Sequence, residues 1–425
     1  MIILQVLGDP RGYKSARYVI DGKEYEKKFL ASAIREWLGE GRIVFLVPDS
    51  LITRIESDID EAFKLLKDKE RFKKRIEELL NGVEADILII PSVGTYSEDY
   101  TVRFEGSIEN TMVFVFKELV KLGIGTVYAD ISTGLNIYTT AMLEALRKYV
   151  AYKKLERILQ GEGGITSKLA FVPQVLSEGQ VVNVELHGLD VQVFFSLPYA
   201  NPREICVDTD TKVEINKKYG KLFREISGLL KTLRIAFNAI KYNTPLAFYH
   251  SDVLNLNIDV KRVEKEFVKV VDELEDLREV VVSDNTITVR RPIVSSGSVV
   301  NTFFALSMLS SVIEWGKGLG EPELDEILRT FRSLYDCLGL EVNSRFLERD
   351  IEGIRELTKD LEGERLLLEL FPESSGKSKD KKRNFFAHSG FLREITLVKR
   401  VGDRVMLRYT PESIKEVQSW LLDPN

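Results

Sequence analysis

The chain has 425 residues, 44% of them hydrophobic and 30% charged, and carries a net charge of −6. That length admits two or three domains, and an acidic balance argues against a nucleic-acid coat protein, which would be strongly basic. Cys206 and Cys337 are too few for a disulfide framework or a cysteine-rich metal cluster.

The first half alternates short apolar runs with longer amphipathic stretches. "IILQVL" (2–7), "RIVFLV" (42–47), "ADILII" (85–90), "TVYAD" (126–130) and "LAFVP" (169–173) are β-branched and nearly continuous. Runs of this kind suit parallel strands buried on both faces. Their spacing leaves room for a crossover helix each time. Helices are expected over 25–39, 50–80, 107–123 and 135–150, which gives a doubly wound α/β domain. Residues 181–198 are expected to add strands, with a turn at His187–Gly188.

After "YANPRE" (199–204) the pattern turns helical over 211–241. In 259–279, Val260, Val263, Phe267, Val270, Leu274 and Leu277 form one apolar stripe at helical spacing. "REVVVSDNTITVRRP" then reads as a hairpin turning at Asp284–Asn285. A helix followed by a hairpin has the outline of a small winged-helix-like unit. The helix carries eight acidic residues against five basic ones, unlike a helix that faces phosphates. A spacer role is therefore preferred to DNA reading. From about 299 to the end the chain reads as an α-helical bundle, with the stretch 383–395 helical. The expected division is 1–200, 201–298 and 299–425. No stretch is read as reaching the roughly 18–20 apolar residues of a bilayer span, and nothing resembles a secretory leader, so a cytoplasmic location is expected. Abundant Lys and Glu beside six Gln and three His suit a thermophile.

In an open parallel sheet, ligands bind in the loops that leave the carboxyl ends of the strands. Those loops are "GDPRGYKSARY" (8–18), "PDS" (48–50), "PSVGTY" (91–96) and "DISTGLN" (130–136). In the last, Ser132, Thr133 and Asn136 are short polar groups, and Gly134 admits close approach to the backbone. The helix that follows offers unpaired N–H groups to an anion, so a phosphate or nucleotide fits. The same residues also suit a plain helix cap. Neither G-x-G-x-x-G nor G-x-x-x-x-G-K-[ST] is present, so no nicotinamide cofactor or P-loop hydrolysis is expected.

"KKRNFFAHSG" (381–390) holds the second candidate. Arg383 and His388 lie five positions apart, Asn384 follows the arginine, and Lys377, Lys379, Lys381 and Lys382 make a local basic patch. Imidazole titrates near neutrality and can move protons, while a guanidinium can brace a phosphate. On one α-helix five positions leave two side chains about 140° apart, so a pair doubled by a two-fold axis is the arrangement that would gather them. Alternatively, Phe385 and Phe386 anchor an ordinary helix beside a solvated loop.

"ADISTGLNIYTTAMLEALR" with "LGDPRGYKSARY" resembles the CARF domain (CRISPR-associated Rossmann fold). "RNFFAHSGF" resembles the R-x4–6-H signature of HEPN domains, the higher eukaryotes and prokaryotes nucleotide-binding family. Together they resemble the CARF–HEPN ribonucleases that accompany type III CRISPR systems. The resemblance implies a Rossmann-like sensor that binds cyclic oligoadenylate, cyclic tetra-adenylate being favoured, across a homodimer axis. It implies ligand contacts from Gly8, Arg11, Ser92, Gly94, Ser132, Thr133, Gly134 and Asn136. It further implies an endoribonuclease site built on Arg383, His388 and Asn384, with Lys379, Lys381 and Lys382 holding single-stranded RNA. No metal or other cofactor is expected, nor a membrane partner. Two other readings stay open: a ligand-responsive DNA-binding regulator acting through 245–295, supported by Arg290 and Arg291, and a non-catalytic assembly protein.

Overall fold

The computed structural model describes residues 1–132, 136–161, 164–371 and 380–424. Six strands form the central sheet: β1 (Ile2–Val6), β2 (Arg42–Pro48), β3 (Asp86–Ile90), β4 (Thr126–Asp130), β5 (Thr166–Phe171) and β6 (Glu185–Gly188). Their spatial order is β6-β5-β4-β1-β2-β3, and only β6 runs antiparallel to its neighbour. Every residue of β1 is buried. Ile2, Leu4 and Val6 point into one core, and Ile3 points into the other. This is the period-two division expected of a strand covered on both faces. The Gln5 side chain, buried with them, accepts a hydrogen bond from the Ala31 amide at 3.1 Å.

The five strands expected from continuous apolar runs are all present. The crossovers differ. Residues 23–27 form a strand, not the start of a helix; it pairs with Ala16–Ile20 through a turn at Asp21–Gly22, and the helix begins only at Leu30. Asp21 and Gly22 both take positive φ, 48° and 76°, as such a tight hairpin requires. His187 and Gly188 lie within β6 rather than at a turn.

Helix Val260–Asp276 buries Val260, Val263, Phe267, Val270 and Leu274, while Leu277 caps it near the surface. The hairpin Glu279–Ser283/Thr286–Arg290 turns at Asp284, as read. It does not stand alone. Strand Thr286–Arg290 lies parallel to Thr101–Glu105, so the hairpin extends a sheet that begins with Gly94–Ser97 in the first half of the chain. Arg290 is paired with Glu105 at 3.0 Å and Glu279 at 3.2 Å, and Arg291 is buried against Asp49. Both arginines are thus committed within the fold, which removes the support they lent to DNA reading.

The C-terminal half is helical, with one addition. The 33-residue helix Thr209–Lys241 packs on Ser296–Gly316 and on Ile414–Leu422. Helices Leu324–Leu338 and Glu341–Leu357 pack on each other. A three-stranded sheet, Glu364–Leu366, Thr396–Val401 and Arg404–Tyr409, completes the region; it was not anticipated. Helix Ser296–Gly316 corrects the expectation about spans: by length and composition alone it could cross a bilayer. Here two-thirds of its apolar window is buried among other helices, so it is a core helix of this fold.

Candidate functional site

The strand order reverses between β1 and β4, which places the loops after these two strands on either side of one crevice. Gly8 donates its amide to the Tyr13 hydroxyl at 3.1 Å. Burial pushes that phenol up to about 12, so it stays protonated. Arg11 is exposed, and its guanidinium is folded back onto Asp9, with Nε and Nη2 at 3.0 and 2.8 Å from the carboxylate oxygens. On the other wall, the Ser132 amide donates to Asp130 at 2.8 Å and the Ser132 hydroxyl accepts from the Val172 amide at 2.8 Å. Asn136 is exposed in the first turn of helix Asn136–Leu155. Thr133 and Gly134 lie outside the described residues.

Asp130 was not singled out from the sequence. It is fully buried at the carboxyl end of β4, and burial pushes its carboxyl up to about 6 against the opposing bonds from Ser132. A carboxylate closing an otherwise apolar parallel strand was the available signal.

Ser92 was expected to face the ligand; the structure turns it inward instead. It is 1% exposed, its amide donates to Asp49 Oδ1 at 2.9 Å, and its hydroxyl accepts from the Ser50 amide at 2.9 Å. Its work is to tie the loop after β3 to the loop after β2. Gly94 takes φ +97° at the start of the following strand, a conformation that disfavours any side chain. The Tyr96 and Tyr138 hydroxyls meet at 2.7 Å, and Tyr138 reaches Ser50 at 3.5 Å. Contacts therefore run from the helix after β4 through Tyr138, Ser50, Ser92 and Asp49 to Arg291, five residues before helix Ser296–Gly316.

The second site is at the other end of the chain. Helix Lys381–Ala387 starts at Asp380, whose side chain accepts from the Arg383 amide at 2.9 Å. Phe385 is fully buried against Tyr409 and Trp420, which fixes the helix face. The helix ends sooner than expected: His388 is its C-cap at φ −122°, and Ser389 and Gly390 take φ +50° and +76°. A Cβ at Gly390 would approach the Thr244 Cβ at 2.9 Å, so this sharp exit requires glycine. Arg383 sits in the first turn of the helix and His388 just past its last turn, both exposed. Lys381 is exposed, Lys382 and Asn384 are half-buried, and Lys377 and Lys379 fall outside the described residues.

The neighbours of His388 come from distant parts of the chain. Its Nδ1 lies 4.0 Å from Asp350 Oδ1 on helix Glu341–Leu357. The Ser389 hydroxyl donates to Asp350 Oδ2 at 2.7 Å, and Asn243 Nδ2 donates to the Ser389 hydroxyl at 2.8 Å. Burial alone would raise the Asp350 carboxyl; the contacts with His388, Ser389 and Arg349 outweigh it and hold the group below its usual range. His250, by contrast, is structural: its Nε2 accepts from the Tyr409 amide at 3.0 Å, and burial, aided by Arg408, lowers its pKa to about 4.

A parallel sheet with a switch-point crevice is joined to a helical unit that presents an arginine and a histidine around one short helix. Two family models match the chain. Residues 2–172 match the family model described as "CRISPR system endoribonuclease Csx1, CARF domain", and residues 340–412 match "CRISPR system endoribonuclease Csx1, HEPN domain". The CRISPR system endoribonuclease Csx1 of Methanocaldococcus jannaschii is 24% identical over 455 aligned residues, which take in 98% of this chain and 92% of that protein. The chain belongs to the CRISPR-associated CARF–HEPN endoribonuclease family.

Proposed function

We propose that the chain is a cytoplasmic, cyclic-oligoadenylate-activated endoribonuclease that cuts single-stranded RNA without a metal ion. The carrying observation is the exposure of Arg383 and His388 around a helix whose other side is locked by buried Phe385. RNA supplies its own nucleophile, the 2′-hydroxyl. His388 takes the proton from this hydroxyl or delivers one to the leaving 5′-oxygen. Arg383 braces the charge that develops on the phosphorane, in a geometry lysine would not reproduce. Asn384 orients these groups, and Lys379, Lys381 and Lys382 hold neighbouring phosphates. The products are a 2′,3′-cyclic phosphate and a 5′-hydroxyl.

A homodimer brings two copies of the pair to one cleft, because an isologous contact repeats every residue. Cyclic tetra-adenylate in the crevice, against Gly8, Arg11, Gly94, Ser132, Thr133, Gly134 and Asn136, favours the cutting arrangement by binding it more tightly. The contacts from Tyr138 to Arg291 supply a physical link between crevice and helices.

The test is cleavage of single-stranded RNA in EDTA, beside a strand of the same sequence with 2′-deoxy sugars and beside His388→Ala. Cutting of the RNA alone, lost in the variant, supports the proposal. Cutting of the deoxy strand, or cutting that survives the variant, overturns it.

A further inference from the structure

We infer that Asp350 is a positioning residue for the reaction: it holds His388 with Nδ1 turned inward, so that Nε2 faces the RNA. The inference rests on the nuclease reading above. Asp350 lies outside the Arg383–His388 motif, on a different helix, and its side chain is 11% exposed while that of His388 is 49% exposed. The geometry is therefore a largely covered carboxylate behind a half-open imidazole.

The two carboxylate oxygens are differently engaged. Oδ2 accepts the Ser389 hydroxyl at 2.7 Å, and that hydroxyl is itself fixed by Asn243. Oδ1 faces His388 Nδ1 at 4.0 Å and Arg349 Nη2 at 3.3 Å. At 4.0 Å the contact is longer than a hydrogen bond and becomes an ion pair only when the imidazole carries a second proton; such contacts commonly tighten when substrate binds. Among the described residues, Asp350 is the one charged group within ion-pair distance of His388, and Arg349 and His388 are the charged groups on Asp350. The left-handed backbone at Ser389 serves the same end, since it turns the chain so that adjacent residues 388 and 389 both reach one carboxylate.

A carboxylate behind an imidazole does two things. It selects the tautomer that leaves Nε2 free to take a proton, and it stabilises the imidazolium once the proton has arrived. A merely structural aspartate would do neither. The difference is visible without catalysis, because the chain has only three histidines.

The experiment follows the imidazole resonances of the full-length protein against pH by NMR, for wild type, Asp350→Asn, Asp350→Glu and Ser389→Ala. Turnover of single-stranded RNA is measured on the same samples. In Asp350→Asn the His388 midpoint should fall by about half a unit to one unit, with His187 unmoved as an internal control. Its kcat should drop at least about tenfold while KM changes less than about twofold. Asp350→Glu should restore most of both readouts. Ser389→Ala, which keeps the charge and loosens it, should show a smaller shift of the same sign, and it carries the test if Asp350→Asn does not fold. Unchanged midpoints in the folded variants overturn the inference. The nuclease reading fails separately: a His388→Ala variant that still cuts at the wild-type rate removes the catalytic role, whatever the midpoints show.

Discussion

The crevice at the carboxyl end of the sheet and the helix end at His388 are built by opposite means. The crevice is made mostly of backbone: strand order sets which loops face each other, and buried side chains such as Ser92 and Asp49 hold those loops in place. The His388 site is made of side chains on scattered elements, with Asp350, Ser389 and Asn243 converging from three separate segments. A backbone site tolerates exchange of its exposed residues, because its shape belongs to the fold. A side-chain site does not. The lesson is that loss of function should be steep at the second site and graded at the first.

The steepest effect tests that contrast directly. His388→Ala and Arg383→Ala should each reduce RNA cleavage by about 10²–10⁴-fold, with melting temperatures unchanged because both side chains are exposed. A fall of only a few-fold would make the two sites alike.

Next in size is the ion pair beneath the crevice. Asp49 is 1% exposed and Arg291 is 5% exposed. Arg291→Ala would strand a buried carboxylate and should cost about 3–5 kcal/mol in denaturant unfolding. Since Arg291 also ends the line of contacts from Tyr138, any variant that still folds should respond less to ligand while keeping its basal cleavage. A variant with unaltered stimulation would show that the link lies elsewhere.

Asp130 sharpens the comparison from the opposite direction. Its pKa is raised to about 6, so its stabilising contribution is present at low pH and is lost as pH rises through that value. Asp130→Asn should therefore be more stable than wild type by about 2–3 kcal/mol near pH 8, and nearly equal to it near pH 4. A residue that destabilises the fold at neutral pH is expected where loop geometry serves binding. Equal stability at both pH values would remove that reason.

The smallest effect concerns His250, whose pKa is lowered to about 4. The sign is the reverse of that for Asp130: stability is full above about 6.5 and falls as pH drops toward 4; the full difference would be worth about 3 kcal/mol, and solvent screening of this partly exposed ring reduces it to about 1–2 kcal/mol. His250→Gln should flatten this part of the pH dependence and leave RNA cleavage intact. Loss of cleavage in that variant would blur the line between the structural and the catalytic histidine.

Much of the sheet was legible because strands covered on both faces write continuous apolar runs, and β1 to β5 coincide with those runs to within a few residues. Surface strands write alternation instead. Residues 16–27 alternate around an Asp21–Gly22 turn, yet their charges blend into the helix that follows. The strands Thr396–Val401 and Arg404–Tyr409 were hidden in the same way, behind a charged turn that ends in Asp403. For the site, the sequence named Arg383 and His388 but not what surrounds them. Asp350 is an ordinary residue on a helix and Asn243 sits in the turn just past helix Thr209–Lys241 until folding brings them to Ser389, and no short spacing records that. Ser92 shows the converse: position in a loop suggested a ligand contact, whereas the hydroxyl is consumed by the Ser50 amide.

The central claim is that occupancy of the crevice governs cutting at Arg383 and His388. The most direct measurement is the initial rate of single-stranded RNA cleavage in EDTA, with and without cyclic tetra-adenylate, for wild type and His388→Ala. The expected result is a rate that rises with ligand in wild type and stays at background in the variant. A wild-type rate indifferent to the ligand would refute the claim.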